Sequence, residues 1–221
     1  MVHTPTASAS RTKAPVVEAV LPQGHLLSEL PRMMGLEEDA RGRILRAAAF
    51  LFHKQGYDRT TVRQLAQLVG IQSGSLFHHF PGKIDILIAV MEAAIVYNTG
   101  AMQAAVNSSP EPVTQLTALI HTELESMIGE TVAAMAVLFH EWNVLTAEQQ
   151  APLLILRGRY EQLWLDTLEV IAQRGQLRQS PFIARRLLSG AIFWTVNWYR
   201  PTGSLTLDGL TEQVLAMVVT S

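Results

Sequence analysis

Closely spaced histidines, acidic residues and lysines are the candidates for catalysis or metal binding in this 221-residue chain. His140-Glu141 opens a string similar to HExxH, but position 144 is Val, so the second histidine one helical turn later is absent. His78-His79 are adjacent, and neighbouring side chains on a helix diverge too far to chelate one ion. Gly82-Lys83 lacks the leading glycine and the following Ser/Thr of a phosphate-binding loop. Since the chain also has no cysteine, and hence no thiolate, we predict that it is not an enzyme and needs no metal or cofactor.

A different chemistry is suggested by the stretch Thr60–Lys83, TTVRQLAQLVGIQSGSLFHHFPGK. Apolar residues recur at helical spacing from Val62 to Val69, and Gly70 can end that helix in a left-handed conformation. A second helix would carry Leu76 and Phe80 inward, four residues apart. Helix, glycine turn and helix form the pattern of a helix-turn-helix, whose second helix enters a DNA major groove. Spacing alone also fits many helical hairpins.

Two flanking helices must hold this pair in place. The spacing of Ile44, Ala48, Leu51 and Phe52 predicts a helix over 37–55 with one apolar face. Pro81-Gly82 then breaks the chain before a long helix predicted over 84–106, which can link the helix pair to a second domain.

The remainder shows no strand-like alternation. Helices are predicted over 112–128, 131–145, 146–175, 181–199 and 207–219, so the fold class is all-α with about nine helices. Residues 1–35, with four prolines, are predicted to be a flexible N-terminal extension whose Arg11 and Lys13 could reach DNA. We divide the chain into a first domain at 36–98, with the candidate helix-turn-helix at about 61–80, and a second helical domain at 99–221.

Composition and charge are compatible with this division. The chain is 48% apolar and 16% charged, so it can bury a core. Net charge is −2, but residues 38–98 hold seven Lys/Arg against five Asp/Glu, whereas residues 99–221 hold seven against eleven. Positive charge therefore concentrates near the helix pair, as phosphate contact requires. No uninterrupted apolar run of about eighteen residues is present, so we predict no membrane association and a cytoplasmic protein.

From about Glu38 to Ile95 the chain resembles the DNA-binding domain of the tetracycline-repressor (TetR) family of bacterial transcriptional regulators. The matching pattern is ILRAAAFLFHKQGYDRTTVRQLAQLVGIQSGSLFHHFPGKIDIL, with an aromatic–His–Phe–x–x–Lys run near its end. The resemblance implies that 36–98 is a DNA-binding domain and that 99–221 is a ligand-binding and dimerisation domain. The protein would be a repressor that binds double-stranded DNA at a palindromic operator as a homodimer. A small apolar effector would release it from the DNA.

The resemblance also implies a set of DNA contacts. Positions that grip phosphate correspond to Thr61, His79 and Lys83. Positions close to base edges correspond to Arg63, whose fork suits guanine, and to Ser73, Gly74 and Ser75. Phe77 and His78 correspond to positions that contact the DNA backbone or a thymine methyl group. Gln72 could reach adenine. The second helix carries no Lys or Arg, so Arg63 and DNA shape would supply much of the specificity.

Bulky, adaptable side chains on the inner faces of the middle helices form a candidate effector site: Met102, Met127, Met135, Phe139, Trp142, Tyr160 and Trp164. Any one of them could instead be ordinary core. The runs RGRYEQLWLDTLEVIAQRGQLR and WTVNWYRPTGSLTLDGLTEQ are similar to family regulators of fatty-acid and sterol breakdown, several of which respond to acyl-coenzyme A thioesters. That similarity makes an acyl-CoA the first expectation, with phosphates met by Arg157, Arg159, Arg185 or Arg186. The alternative is an uncharged aromatic or drug-like ligand.

The last two helices have more apolar residues than one buried face requires. They are candidates for a two-fold dimer interface, with Leu187, Gly190, Ala191, Trp194, Trp198, Leu210, Val214 and Met217 as its members. Core packing is the alternative for each residue. A helical protein that binds another protein through these faces, and never binds DNA, is the rival functional class.

Overall fold

The computed structural model describes Leu36, residues 39–129 and residues 131–220. Within these residues the chain forms nine α-helices: α1 (Ala40–Gln55), α2 (Val62–Val69), α3 (Ser73–Leu76), α4 (Lys83–Asn107), α5 (Pro112–Ile128), α6 (Val132–His140), α7 (Ala147–Gln173), α8 (Pro181–Trp194) and α9 (Leu207–Ala216). The strand-like pairing found there is one isolated antiparallel bridge between Leu177 and Val219. The predicted all-α class is confirmed. The extension predicted at 1–35, with Arg11 and Lys13, lies outside the described residues.

Local capping explains where several helices begin. The carboxylate of Asp39 accepts from the Gly42 N–H at 2.6 Å and caps α1, which starts at Ala40. The hydroxyl of Thr61 and the side chain of Gln64 form a capping box at the start of α2. Thr146 and Gln149, three residues apart, form another at the start of α7.

Two helices end five residues earlier than predicted, and α9 ends three residues early at Ala216. α6 ends at His140 and passes into a 3₁₀ turn, Trp142–Val144, while α8 ends at Trp194 and passes into a 3₁₀ turn, Thr195–Asn197. A 3₁₀ turn repeats every three residues, which is close to the repeat of an α-helix. The spacing of side chains in the sequence therefore does not show where the α-helix ends and the 3₁₀ turn begins.

The long helix α4 joins the two halves of the molecule. It packs against α1 at one end and against α5, α6 and α7 further along, and it buries Ile86, Leu87, Val90, Met91 and Met102. By length and composition alone α4 is apolar enough to cross a membrane, with a mean hydropathy of 1.5. A core helix meets the same criterion, and 44% of its most apolar window is buried inside this structure.

Candidate DNA-binding face and effector cavity

The helix pair α2–α3 is positioned by apolar contacts on its inner side. Leu65, Ala66, Leu68 and Val69 of α2 are buried. Gly70 has a φ of 76°, and its N–H closes the helix onto the carbonyls of Ala66 and Gln67. The side chains of Leu76 and Phe80 are buried as predicted, but α3 ends at Leu76, and the chain reaches Phe80 through a turn over 77–79 whose side chains are exposed.

The outer side of the pair brings together most of the predicted DNA contacts. Thr61, Arg63, Gln72, Ser73, Gly74, Phe77, His78 and His79 are exposed, and Ser75 is half-buried. The ring of Phe77 is 53% exposed, which is unusual for a large apolar side chain in so small a helix pair. A face with an uncovered ring, small residues and one arginine can make apolar and hydrogen-bonded contacts to base edges.

Two of the predicted phosphate contacts also have structural roles. The Thr61 hydroxyl is the cap of α2. The ammonium of Lys83 donates to the carbonyl oxygens of Tyr57 at 2.8 Å and of Thr60 at 2.9 Å, and it lies 4.0 Å from the centre of the Tyr57 ring. Phosphate contact by Lys83 stays a prediction, and only one of its three N–H donors is left for it.

An internal cavity of about 600 Å³ lies among α4, α5, α6, α7 and α8. Its volume falls within the range of small-molecule sites. Its walls are mainly apolar and include Ile95, Met127, Met135, Leu138, Phe139, Leu154 and Phe193. Of the seven predicted effector contacts, Met127, Met135, Phe139 and Tyr160 line this cavity. Met102 and Trp164 are instead fully buried core residues, and Trp142 lies beside the cavity under the guanidinium of Arg157, at 5.3 Å.

One wall of the cavity carries a buried ionic network. Arg185 is 3% exposed; its Nη1 lies 3.2 Å from a carboxylate oxygen of Glu123, and its Nε lies 3.0 Å from one of Glu161. The Tyr160 hydroxyl donates to the other oxygen of Glu123 and accepts from Arg185 Nη2 at 3.3 Å. The guanidinium also lies 4.3 Å from the Trp164 ring centre. Each buried charge therefore has a partner, as stability requires.

The ionisation states of this network follow from its surroundings. Burial and the carboxylate of Glu123 raise the pKa of Tyr160 well above its ordinary value, so the phenol is neutral and remains a donor at pH 7. Burial alone would lower the pKa of Arg185, but the adjacent carboxylate of Glu123, together with Tyr160 and Glu161, raises it. The arginine is therefore permanently charged.

Sequence reasoning missed Glu123 altogether. It lies on α5 next to the apolar face Leu116–Ile120–Leu124–Met127, and Arg185 lies 62 residues further along the chain. The sequence showed only a glutamate beside an apolar helix face. A solvent-exposed glutamate gives the same pattern, so the burial of Glu123 could not be predicted.

Four arginines were predicted to meet effector phosphates, and the structure separates them. Arg185 is committed to the buried network. Arg157 and Arg186 line the cavity but are exposed, and their guanidinium groups lie over the rings of Trp142 and Phe182. Arg159 is exposed and is not among the cavity-lining residues. Two cations therefore remain at the outer part of the cavity.

Comparison with known proteins places both halves of the chain. Residues 44–90 match the family model of "Bacterial regulatory proteins, tetR family", and residues 109–221 match that of the "Tetracyclin repressor-like, C-terminal domain". The chain belongs to the TetR family. The HTH-type transcriptional repressor KstR2 of Rhodococcus jostii is 32% identical over 182 residues, which cover 81% of this chain and 89% of that protein.

Solved structures support the same assignment. The crystal structure of superantigen PfiT is 50% identical, with a TM-score of 0.76, over 83% of this chain and 98% of that one. AibR in complex with isovaleryl coenzyme A and operator DNA is 22% identical with a TM-score of 0.73, over 81% of this chain and 97% of that one, and so shares the fold.

Membership of the TetR family confirms two predictions. Members are DNA-binding transcriptional regulators, and they are not enzymes. In the part of the chain that the structure describes, no group of three or more His, Asp or Glu side chains could hold a metal ion.

The predicted TetR-type dimer residues divide into two groups. Leu187, Trp194, Trp198 and Met217 are exposed, with Trp194 at 62%; Gly190 is also exposed and Ala191 is half-buried. Leu210 and Val214 instead face the core, because α9 packs against α5. Phe182 and Ile183, which were not predicted, extend the exposed apolar face of α8. The candidate interface is therefore centred on α8 rather than shared equally with α9.

Proposed function

We propose that this TetR-family protein is a transcriptional repressor that binds a palindromic operator as a dimer and leaves it when a small apolar effector fills the internal cavity. The observation that carries the proposal is an exposed face of small, aromatic and basic residues on α2–α3 in the same chain as a mainly apolar cavity that opens to the surface. The relative KstR2 is named a transcriptional repressor, which supports the same role here. Because its partner is DNA, we also propose a cytoplasmic location.

The effector that fits best is an acyl-CoA thioester. The apolar walls suit an acyl chain, and the charges of Arg185, Glu123 and Glu161 already satisfy one another. Arg157 and Arg186 make no ion pair within the described residues, so their guanidinium groups are available to phosphates outside the acyl site. The AibR complex contains both an acyl-CoA and operator DNA, which supports this class of effector. An uncharged aromatic ligand is the second candidate, since the methionines and aromatic rings of the cavity would hold it without those arginines.

Binding of a DNA fragment from upstream of the protein's own gene tests this proposal. We expect a specific complex at low salt whose affinity falls by orders of magnitude over a fewfold rise in salt, as phosphate contacts require. Acyl-CoA thioesters of increasing chain length should release the DNA, and free coenzyme A should not. Absence of a complex at low salt would favour the rival class, a protein-binding helical module. Release by aromatic ligands but by no thioester would replace the effector class and leave the DNA-binding function intact.

Replacing Arg63 by alanine should remove base discrimination more than it removes affinity. Its guanidinium is exposed on α2 beside α3, the recognition helix that would enter the major groove. A bidentate contact to guanine is worth about 1–3 kcal/mol of discrimination between bases. The measurement compares wild-type and Arg63→Ala affinity for the operator and for fragments with single base changes in one half-site. Arg59→Ala, also exposed but in the preceding turn, is the matched control. If Arg63→Ala weakens binding to every fragment equally, Arg63 contacts phosphate rather than a base.

A further inference from the structure

Tyr57, in the turn between α1 and α2, is held from both sides by residues outside that turn. Its N–H donates to a carboxylate oxygen of Glu141 at 3.1 Å, and its carbonyl oxygen accepts from the ammonium of Lys83 at 2.8 Å. Its ring lies under the same ammonium and packs against Phe52, with ring centres 5.4 Å apart. Both polar backbone atoms of one residue are thus bonded to charged side chains, and such hydrogen bonds are stronger than neutral ones.

The two charged residues belong to the helices that form the cavity wall. Lys83 is the first residue of α4, and Glu141 directly follows the last residue of α6. Further along, α4 lines the cavity with Ile95 and Asn98, and α6 lines it with Met135, Leu138 and Phe139. The two helices also meet at the cavity, where the Asn98 amide donates to the sulfur of Met135 at 2.9 Å.

Each helix therefore contacts the cavity at one point and Tyr57 at another. On α6 the two points are close, since Phe139 and Glu141 are two residues apart. On α4 the nearest cavity residue is Ile95, which lies twelve residues from Lys83, or about 18 Å along a helix. A change in the position of α6 at the cavity reaches the Tyr57 hydrogen bond over a much shorter path than a change in α4.

The turn that contains Tyr57 fixes the start of α2. Thr60 is fully buried; its N–H donates to the Tyr57 carbonyl at 3.1 Å, and its hydroxyl donates to the Gly56 carbonyl at 2.9 Å. Lys83 also binds the Thr60 carbonyl. The next residue, Thr61, caps α2, and α3 packs on α2. Movement of the Tyr57 peptide would therefore be passed to the recognition helix.

We infer that Tyr57 is the joint at which the effector domain sets the orientation of the helix-turn-helix, with Glu141 and Lys83 as its positioning residues. The regulatory meaning of this joint rests on the proposed repressor function, but the joint itself can be tested without DNA or effector. Glu141 is the sensitive side, because a hydrogen bond of 3.1 Å weakens steeply with a small displacement of α6.

Distance measurements between two spin labels test the inference. The chain contains no cysteine, so Gln67→Cys on α2 and Glu169→Cys on α7, both exposed, provide two unique attachment sites. Labelled protein is mixed with an excess of the cysteine-free chain, so that pairs within one chain dominate the signal. In the otherwise wild-type background we expect one narrow distance distribution.

Glu141→Ala should broaden and shift that distribution while the thermal unfolding temperature stays close to that of the wild type. Glu141→Gln keeps an oxygen that accepts from Tyr57 and should restore the narrow distribution. Lys83→Met removes the ammonium but keeps most of the length of the side chain. It should also broaden the distance distribution, because it removes the hydrogen bond to the Tyr57 carbonyl oxygen. Glu92→Ala, exposed on α4, is the control and should change nothing.

An unchanged distribution in both Glu141→Ala and Lys83→Met would overturn the inference, as would equal broadening in Glu92→Ala. Failure of the wild-type protein to bind operator DNA would remove the proposed function without affecting these distances. The two failures are therefore distinguishable.

Discussion

Replacing Arg185 by methionine is expected to lower the free energy of unfolding by about 3–5 kcal/mol, because it leaves the buried carboxylate of Glu123 without its counter-charge. Glu123 is 5% exposed, so bulk water replaces little of the stabilisation that the guanidinium provides. Methionine keeps most of the volume of the side chain, so the loss reflects charge rather than a cavity. Denaturant unfolding of both proteins at the same protomer concentration gives the difference.

The neighbouring residue provides the matched control. Arg186 is exposed and stacks on Phe182, so Arg186→Met should change stability by about 0.5 kcal/mol or less. A second variant tests the cause. Adding Glu123→Gln to Arg185→Met removes the unpaired charge, while the amide can still accept from the Tyr160 hydroxyl, and most of the lost stability should return. If the double variant is as unstable as Arg185→Met alone, the network is held by packing and not by charge compensation.

How far the sequence predicts this molecule depends on how local the determining contacts are. Most of the helix-turn-helix was predicted, because its left-handed Gly70 and its buried Leu76 and Phe80 act within about twenty residues, although α3 ends at Leu76. Periodicity, however, shows only that a side chain points inward. It does not distinguish Trp164, which is core, from Tyr160, which lines the cavity.

The features that sequence reasoning missed depend on long-range pairing. The Glu123–Arg185 pair joins residues 62 apart, and the Tyr57–Glu141 hydrogen bond joins residues 84 apart. Lys83 was assigned to DNA through the family resemblance, yet its ammonium is bound to two carbonyl groups that only the folded turn brings together. Val214 was assigned to the dimer interface because surplus apolar surface does not reveal which face the rest of the chain covers.

Replacing Trp194 by glutamate is expected to separate the dimer and to reduce operator affinity by about 10²–10⁴-fold, the usual gain from linking two weak sites. The indole is 62% exposed in the single chain, at the C-terminal end of the apolar face of α8 that includes Ile183 and Leu187. A two-fold axis through that face would bring two glutamates into one desolvated contact, where neither has a counter-charge. Each protomer would then contact one half-site alone. Native mass spectrometry reports the assembly, and DNA binding of the same samples reports the affinity.

The control for this experiment places the same charge on another exposed apolar residue. Val96 is 53% exposed but lies on α4, so Val96→Glu should remain dimeric and should bind the operator like the wild type. The two measurements, assembly mass and operator affinity, should change together. In the proposed dimer the α8 face fixes the separation of the two helix-turn-helix pairs that read the palindrome, so loss of dimer mass should accompany loss of affinity. A Trp194→Glu protein that stays dimeric and binds normally would place the interface elsewhere, and the exposed face of α8 would then need another partner.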